Sequence, residues 1–351
     1  MIITRTPFRI SLFGGGTDYP AWYRRHGGAV LAATIDKYCY ISLRQLPPFF
    51  EHRFRIVYSR IETCSQIEEI SHPAVRGVLQ YLQFPHGLEI HHDGDLPARS
   101  GMGSSSAFTV GLLNALYALQ GKMVGKRQLA LESIHIEQEI IGETVGSQDQ
   151  VLAAYGGLNY ITFDAETEFT LQPLTLRRER LEALNAHLML FYTGIRRTAA
   201  NVAQSYVSEL ENRKRELRIT YDLVKEAWEI LNGDSDLSAL GALMDEGWQI
   251  KRSLSARVSN PAVDELYQRA RAAGAWGGKL TGAGGGGFML LCVPPDKREA
   301  VSQALNHLLL VPFQFEFMGS QVIFFAPEPD YTGAEQRRAG QNLTPFRELE
   351  I

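Results

Sequence analysis

Three short stretches of the chain concentrate glycine: Gly14-Gly15-Gly16, Gly101-Met102-Gly103, and the run from Gly282 to Gly287. Glycine admits positive φ and close backbone approach, so successive amides in such turns converge on an anion; a tight connection without a ligand is the alternative for any single cluster. The central stretch is the most informative. In "SGMGSSSA" three serines follow the glycines, and then Ala107, Val110, Leu113, Leu116 and Tyr117 recur at helical spacing. A loop feeding a helix N-terminus offers unsatisfied amides and a favourable dipole to phosphate. The serine hydroxyls add ligands for phosphate oxygens or Mg²⁺. No Walker loop is present, because none of the pairs Gly121-Lys122, Gly125-Lys126 and Gly278-Lys279 is followed by Ser or Thr. "GAGGGG" fits a dinucleotide fingerprint by letter, but a strand-like "FMLLCV" follows where a helix is required.

Charged residues sit beside these turns. Arg9 and Asp18 flank the first cluster, presenting one cation and one carboxylate. Asp149 in "GSQDQ" falls in the first turn of a helix that Ser147 is placed to cap. Glu137 and Glu139 lie on the preceding helix, with a solvated face as the plain alternative. In "TGIRRT", Arg196 and Arg197 follow a strand, and Arg99 and Lys279 are further cations; arginine's planar fork suits phosphate, and a solvated basic turn is the competing reading.

The elements that must position these residues are mixed. Strands are expected at Phe8–Phe13, Ala29–Ile35, Tyr38–Leu46, Phe54–Ser59 and Leu88–Asp93, then helices at Ser104–Gln120, Lys126–Ile141 and Ser147–Tyr155. Strands return at Leu158–Phe163, Phe169–Leu174 and His187–Tyr192. Beyond them come a charged helix or helix pair over Ala199–Leu231, helices at Asp236–Leu254 and from Pro261 to Gly274, strands within Lys279–Val293, a helix at Asp296–Leu309 and a strand at Phe313–Met318. Segregated strands and helices indicate an α+β protein. The length of 351 residues indicates two domains, divided here into 1–192 and 193–351. With 35 basic and 39 acidic residues and a net charge of −4, no basic field exists to recruit nucleic acid or an anionic membrane. Cys39, Cys64 and Cys292 match no metal or redox spacing, and there is no leader-like or membrane-length apolar run, so a cytoplasmic protein is expected.

Taken together, "TPFRISLFGGGTDYP", "LPARSGMGSSSA" and "KLTGAGGGGFML" resemble, in order and spacing, the three motifs of the GHMP small-molecule kinases. The resemblance implies a two-lobed fold, with a ribosomal protein S5 domain 2-like N-terminal domain and a ferredoxin-like C-terminal domain, that transfers phosphoryl from ATP with Mg²⁺. Carried onto this chain, it implies Asp149 and Arg9 as catalytic residues and Ser100, Gly101, Met102, Gly103, Ser104, Ser105 and Ser106 as the ATP loop. It implies Glu137 at the metal with a serine of the central loop; Ser105 is chosen among Ser104, Ser105 and Ser106, and Glu139 is the competing acid. Gly15, Gly16, Thr17, Asp18, Gly284 and Gly285 would meet the substrate. Independently of the resemblance, the basic turn makes Arg196 or Arg197 a candidate for holding a phosphate on the sugar, with a solvated turn the alternative. "GGAVLAATIDKYCYISL" and "VGSQDQ" point within the family to the branch acting on D-glycero-D-manno-heptose 7-phosphate, whose 1,7-bisphosphate product leads to GDP-heptose and surface polysaccharide. Galactokinase-like members carry Glu-His before Thr-Asp, where this chain has Gly15-Gly16, so galactose is a poor candidate. A kinase for fucose or a uronic acid is the alternative, and a non-catalytic nucleotide or sugar sensor is the alternative of another class. The expected partner is a small sugar phosphate, the expected assembly a monomer or homodimer.

Overall fold

The computed structural model describes residues 1–98, 100–195, 205, 207, 210–327 and 331–339. The first lobe is organised by two long strands, β1 (Ile2–Phe13) and β2 (Gly28–Gln45), joined through the short helix α1 (Pro20–His26). β2 was expected as two strands. Asp36-Lys37, between the two, does not turn the chain; the strand runs on through an irregularity where the β1–β2 register shifts between Pro7 and Arg9, and proline has no N–H to give the ladder. The length of β2 lets one strand serve several partners: Gly28–Ala33 pairs with β6 (Leu158–Asp164), and Cys39–Gln45 pairs with β5 (Leu88–Gly94). β3 (Phe54–Val57), β4 (Ile61–Cys64) and β7 (Glu168–Pro173) extend the sheet to either side.

Helices α3 (Ser104–Leu119) and α5 (Gln148–Tyr155) pack on this sheet, and α2 (Pro73–Tyr81) and α4 (Lys126–His135) pack in turn against them. α3 is buried nearly all round, because it is sandwiched between the sheet and the other helices. Gly111 lets it press onto β1: a Cβ there would lie 2.8 Å from Thr6 Oγ1, and Thr4 Oγ1 donates to the Gly111 carbonyl at 2.9 Å. α4 runs into a π-helical turn at Ile136–Ile140, where the expected continuous α-helix changes pitch.

A second sheet of four antiparallel strands is built from β8 (Leu188–Tyr192), β9 (Gly277–Leu280), β10 (Phe288–Cys292) and β11 (Leu309–Leu310), in the order β11-β8-β10-β9. It is accompanied by α6 (Arg178–His187), α7 (Lys214–Asn232), α8 (Leu237–Leu254), α9 (Pro261–Ala272) and α10 (Arg298–Ala304). By sheet membership β8 belongs with this second lobe, so a division at 192/193 separates it from its partners β10 and β11. The chain then returns to the first sheet, where β12 (Phe315–Glu316) pairs with β2 and β13 (Gln321–Phe325) with β1, and ends its described part in α11 (Thr332–Ala339). Among the described residues, no helix is long and apolar enough to cross a membrane.

Candidate active site

The three glycine turns meet at one cleft of about 340 Å³ between the sheets. Their proximity explains much of the glycine. Gly101 has φ +83°, and a Cβ on it would lie 2.7 Å from the Thr281 carbonyl; one on Gly282 would lie 2.6 Å from Gly101 Cα, and one on Gly287 2.2 Å from the Ser100 carbonyl. The third cluster is therefore the floor on which the central loop rests. Gly103, at φ +74°, precedes Ser104 as the N-cap of α3, and the first-turn serines open onto the cleft. Met102 is buried instead of facing the cleft, and its carbonyl accepts the Arg9 amide at 3.1 Å. Ser100 donates its hydroxyl to the Pro97 carbonyl at 2.6 Å, closing the turn.

Arg9 and Asp149 form the centre of the site. Arg9, 5% exposed, donates Nε to Asp149 Oδ1 and Nη2 to Asp149 Oδ2, both at 2.6 Å, and Nη1 to the Gly101 carbonyl at 2.6 Å. This planar fork fixes the carboxylate against the glycine loop. The side chain of Asp149 remains 22% exposed, and each of its oxygens keeps a lone pair for another donor. Ser147 stands at the N-cap of α5 but makes no side-chain cap; its hydroxyl instead contacts the Tyr23 hydroxyl at 3.3 Å and accepts from Gln138 Nε2 at 3.1 Å.

Asp18 and α5 are tied together. Asp18 Oδ1 accepts from the Gly16 amide at 2.9 Å, Oδ2 accepts from Gln148 Nε2 at 2.9 Å, and the Asp18 carbonyl accepts from the Ser147 amide at 2.9 Å. Burial pushes its carboxyl above the ordinary range, and the charge of Asp149 adds to that. Gly15 and Gly16 line the cleft. Thr17 does not: its buried hydroxyl donates to the Gly14 and Ala29 carbonyls and holds the turn closed. Gly284 and Gly285 also lie off the cleft, against Val258, whose carbonyl accepts the Gly285 amide at 2.8 Å; Gly282 and Ala283 face it in their place.

Glu137 is fully buried on the π turn. Its Oε2 accepts from Ser106 Oγ at 2.8 Å and from Gln150 Nε2 at 2.5 Å, while Oε1 has no hydrogen-bond partner. Burial raises its carboxyl to about 7. The serine that meets Glu137 is thus Ser106, not Ser105, which is exposed at the cleft mouth. A buried carboxylate with one open oxygen beside a hydroxyl suits a hard cation that takes its other ligands from phosphate and water. Among the described residues there is no group of three or more His, Cys, Asp or Glu side chains that could hold a metal without help from a bound phosphate.

Two lysines complete the lining. Lys279 on β9 donates to the Leu12 carbonyl at 3.0 Å, and Lys251 on α8 donates to the Leu280 carbonyl at 3.1 Å and the Gly282 carbonyl at 2.5 Å. Burial lowers Lys279 to about 7 and Lys251 well below its usual value, each ammonium also repelled by Arg9. Lys251 escapes sequence reading, since "QIKRSL" looks like the solvated side of a helix. Arg99, Arg196 and Arg197 lie outside the described residues.

Comparison with known proteins agrees with this geometry. Residues 69–157 match the GHMP kinases N terminal domain and residues 223–309 the GHMP kinases C terminal. The chain is 29% identical over 321 residues to D-glycero-alpha-D-manno-heptose 7-phosphate kinase of Campylobacter jejuni, covering 87% of this chain and 93% of that protein. It is 26% identical over 362 residues to the galactokinase of Pyrococcus furiosus, covering 90% and 95%. Among solved structures, a D-glycero-D-manno-heptose 1-phosphate kinase from Bacteroides thetaiotaomicron superposes with a TM-score of 0.76 at 24% identity, covering 93% of this chain and all of that one. The two matched domains, the three converging glycine turns and the two-lobed fold place the chain in the GHMP kinase family, as an ATP-dependent kinase.

Proposed function

We propose that this protein transfers the γ-phosphoryl group of ATP to the anomeric hydroxyl of D-glycero-D-manno-heptose 7-phosphate, giving the 1,7-bisphosphate. The observation that carries the reading is the Arg9–Asp149 fork set at the head of α3. Phosphoryl transfer asks a protein mainly to position two oxygens and to offset charge. The amides of the central loop and of the first turn of α3 receive the donor phosphates. Asp149, held at both oxygens by Arg9, uses its remaining lone pairs to orient the acceptor hydroxyl and take its proton as the new P–O bond forms and the bond from the γ-phosphorus to the bridging oxygen breaks, releasing ADP. Asp18, with Gly15 and Gly16, receives the sugar on the opposite side of Asp149. Glu137 and Ser106, with Ser105 at the mouth, are the residues that would hold Mg²⁺. When bound with ATP, that ion supplies charge neutralisation at the phosphate oxygens. The heptose assignment rests on the similarity to the Campylobacter jejuni protein and on the Gly15-Gly16-Thr17-Asp18 turn.

ADP release with Mg-ATP is the test, measured against heptose 7-phosphate, the unphosphorylated heptose, mannose, mannose 6-phosphate, fucose, galactose and glucuronate. Heptose 7-phosphate is expected to give the highest kcat/KM. A higher value for a neutral hexose or a uronic acid overturns the substrate, and no sugar-dependent turnover overturns the kinase reading.

A further inference from the structure

The cleft is lined by two buried lysines, Lys251 and Lys279, a provision that orienting a neutral sugar does not require. Lys279 is 8% exposed and spends one of its three donors, on the Leu12 carbonyl. Lys251 spends two, on the Leu280 and Gly282 carbonyls. Among the described residues neither ammonium has a carboxylate within ion-pair distance, and buried ammonium groups without a counter-ion are costly. The nearby carboxylates do not fill the role. Asp149 is taken at both oxygens by Arg9, and Asp18 is engaged by the Gly16 amide and Gln148.

The lysines stand between the first and third glycine turns: Lys279 is held by the Leu12 carbonyl just before Gly14, Lys251 by the Gly282 carbonyl. The field of the Asp18 carboxylate, beside Gly15 and Gly16, reaches both. A second observation points to a ligand at the same place. Ser11, one residue before the carbonyl that holds Lys279, is buried, lines the cleft, and its hydroxyl has no hydrogen-bond partner. Gln148, whose side-chain nitrogen lies, like the Ser11 hydroxyl, 3.7 Å from where a Cβ on Gly15 would stand, has an Oε1 that is likewise buried and unsatisfied.

We propose that Lys251 and Lys279, with the Ser11 hydroxyl, form a subsite that binds the anionic group of the acceptor, a phosphate monoester carried by the sugar. A phosphate monoester supplies about two negative charges and three acceptor oxygens, matching two ammonium groups and a hydroxyl. This deepens the sugar-phosphate reading above and rests on it. It also makes the specificity for a phosphorylated acceptor independent of Arg196 and Arg197.

The test compares binding and turnover in the parent, Lys251→Met, Lys279→Met and the charge-keeping Lys251→Arg. Calorimetric titrations without ATP use two matched pairs, mannose 6-phosphate with mannose and heptose 7-phosphate with the unphosphorylated heptose. The parent is expected to prefer the phosphorylated member of at least one pair. Each methionine variant should cut that preference by about tenfold or more, the loss of a charge-assisted hydrogen bond. Lys251→Arg should keep most of it, and KM for ATP should stay within about threefold in all of them. A normal far-UV spectrum and ATP affinity show that a variant is folded; should Lys279→Met fail that check, the Lys251 pair decides. An unchanged preference in the methionine variants overturns the subsite while leaving the sugar-phosphate reading intact. A loss confined to ATP affinity assigns the lysines to the donor and also overturns it. A parent that phosphorylates only neutral sugars overturns subsite and substrate together. If no sugar is turned over, the kinase reading fails and the titrations alone decide the subsite.

Discussion

Arg9 offers the sharpest perturbation of the proposed catalytic centre. It makes three hydrogen bonds of 2.6 Å, two to Asp149 and one to the Gly101 carbonyl, from a position 5% exposed. Lysine in its place keeps the charge but cannot span both carboxylate oxygens and the carbonyl together. Arg9→Lys therefore forfeits one or two charge-assisted hydrogen bonds of about 1.5–3 kcal/mol each. If that energy serves to aim Asp149, kcat falls by roughly two to three orders of magnitude. Arg9→Met removes the charge as well and should cost more. Because Asp149 is 22% exposed, water takes over part of the lost partnership, so the stability loss should stay near ~2–3 kcal/mol rather than the full cost of a broken buried pair. The assay is steady-state ADP release with saturating ATP and sugar phosphate, beside a thermal melt. The expected signature is a collapse of kcat with KM for ATP within about threefold. Equal kcat in parent and Arg9→Lys would refute the reasoning, and so would a loss of activity that follows the melt alone.

Other changes separate the remaining roles. Glu137 has its carboxyl raised by burial to about 7, so between the ordinary 4.5 and 7 the folded chain holds a proton that the unfolded chain has released. Stability without metal should thus fall as pH rises through that window, by up to about 3 kcal/mol. In EDTA, Glu137→Gln should flatten the fall and raise the melting temperature at pH 8, while abolishing Mg²⁺-dependent turnover; a parallel pH profile in the two proteins would contradict this. Gly101→Ala places a Cβ 2.7 Å from the Thr281 carbonyl at φ +83°, so it should destabilise by about 2 kcal/mol or more and raise KM for ATP, checked by denaturant titration and kinetics. Ser106→Ala removes the hydroxyl on Glu137 and should raise the Mg²⁺ concentration needed for half-maximal rate more than Ser105→Ala does; the reverse order would return the metal serine to Ser105.

Much of the candidate site's convergence on one cleft was legible because its logic is local. A glycine loop before an apolar helix, an acid in a first helical turn and a cation beside a glycine turn are all written in short stretches, and the structure brings Arg9, Asp18, Ser104, Ser105, Ser106 and Asp149 to one cleft. What was not legible depends on rotation and tertiary approach. Three adjacent serines are equivalent as letters, but successive helical residues turn by about 100°, and that rotation brings Ser106 to Glu137. The run from Gly282 to Gly287 is glycine but for Ala283, yet only its first two residues face the cleft, while Gly284 and Gly285 pack on Val258. Lys251 needs β9 beside α8 before it becomes an active-site residue. In the fold, α2 was not among the expected helices, although Pro73 stands at its first turn and Ala74, Val75, Val78 and Leu79 are buried along it. α6 carried almost no readable signal, as Leu184 is its one buried residue, and β13 pairs with β1 across nearly the whole chain.

The central claim is that Asp149 serves transfer to the anomeric oxygen of a phosphorylated heptose. The direct measurement is ³¹P NMR of heptose 7-phosphate incubated with Mg-ATP and either the parent or Asp149→Asn. The account predicts a new anomeric phosphate resonance, with the 7-phosphate retained, forming in the parent, and slowed by about two orders of magnitude or more in the variant. A new resonance at any other position, or equal rates in the two proteins, would contradict it.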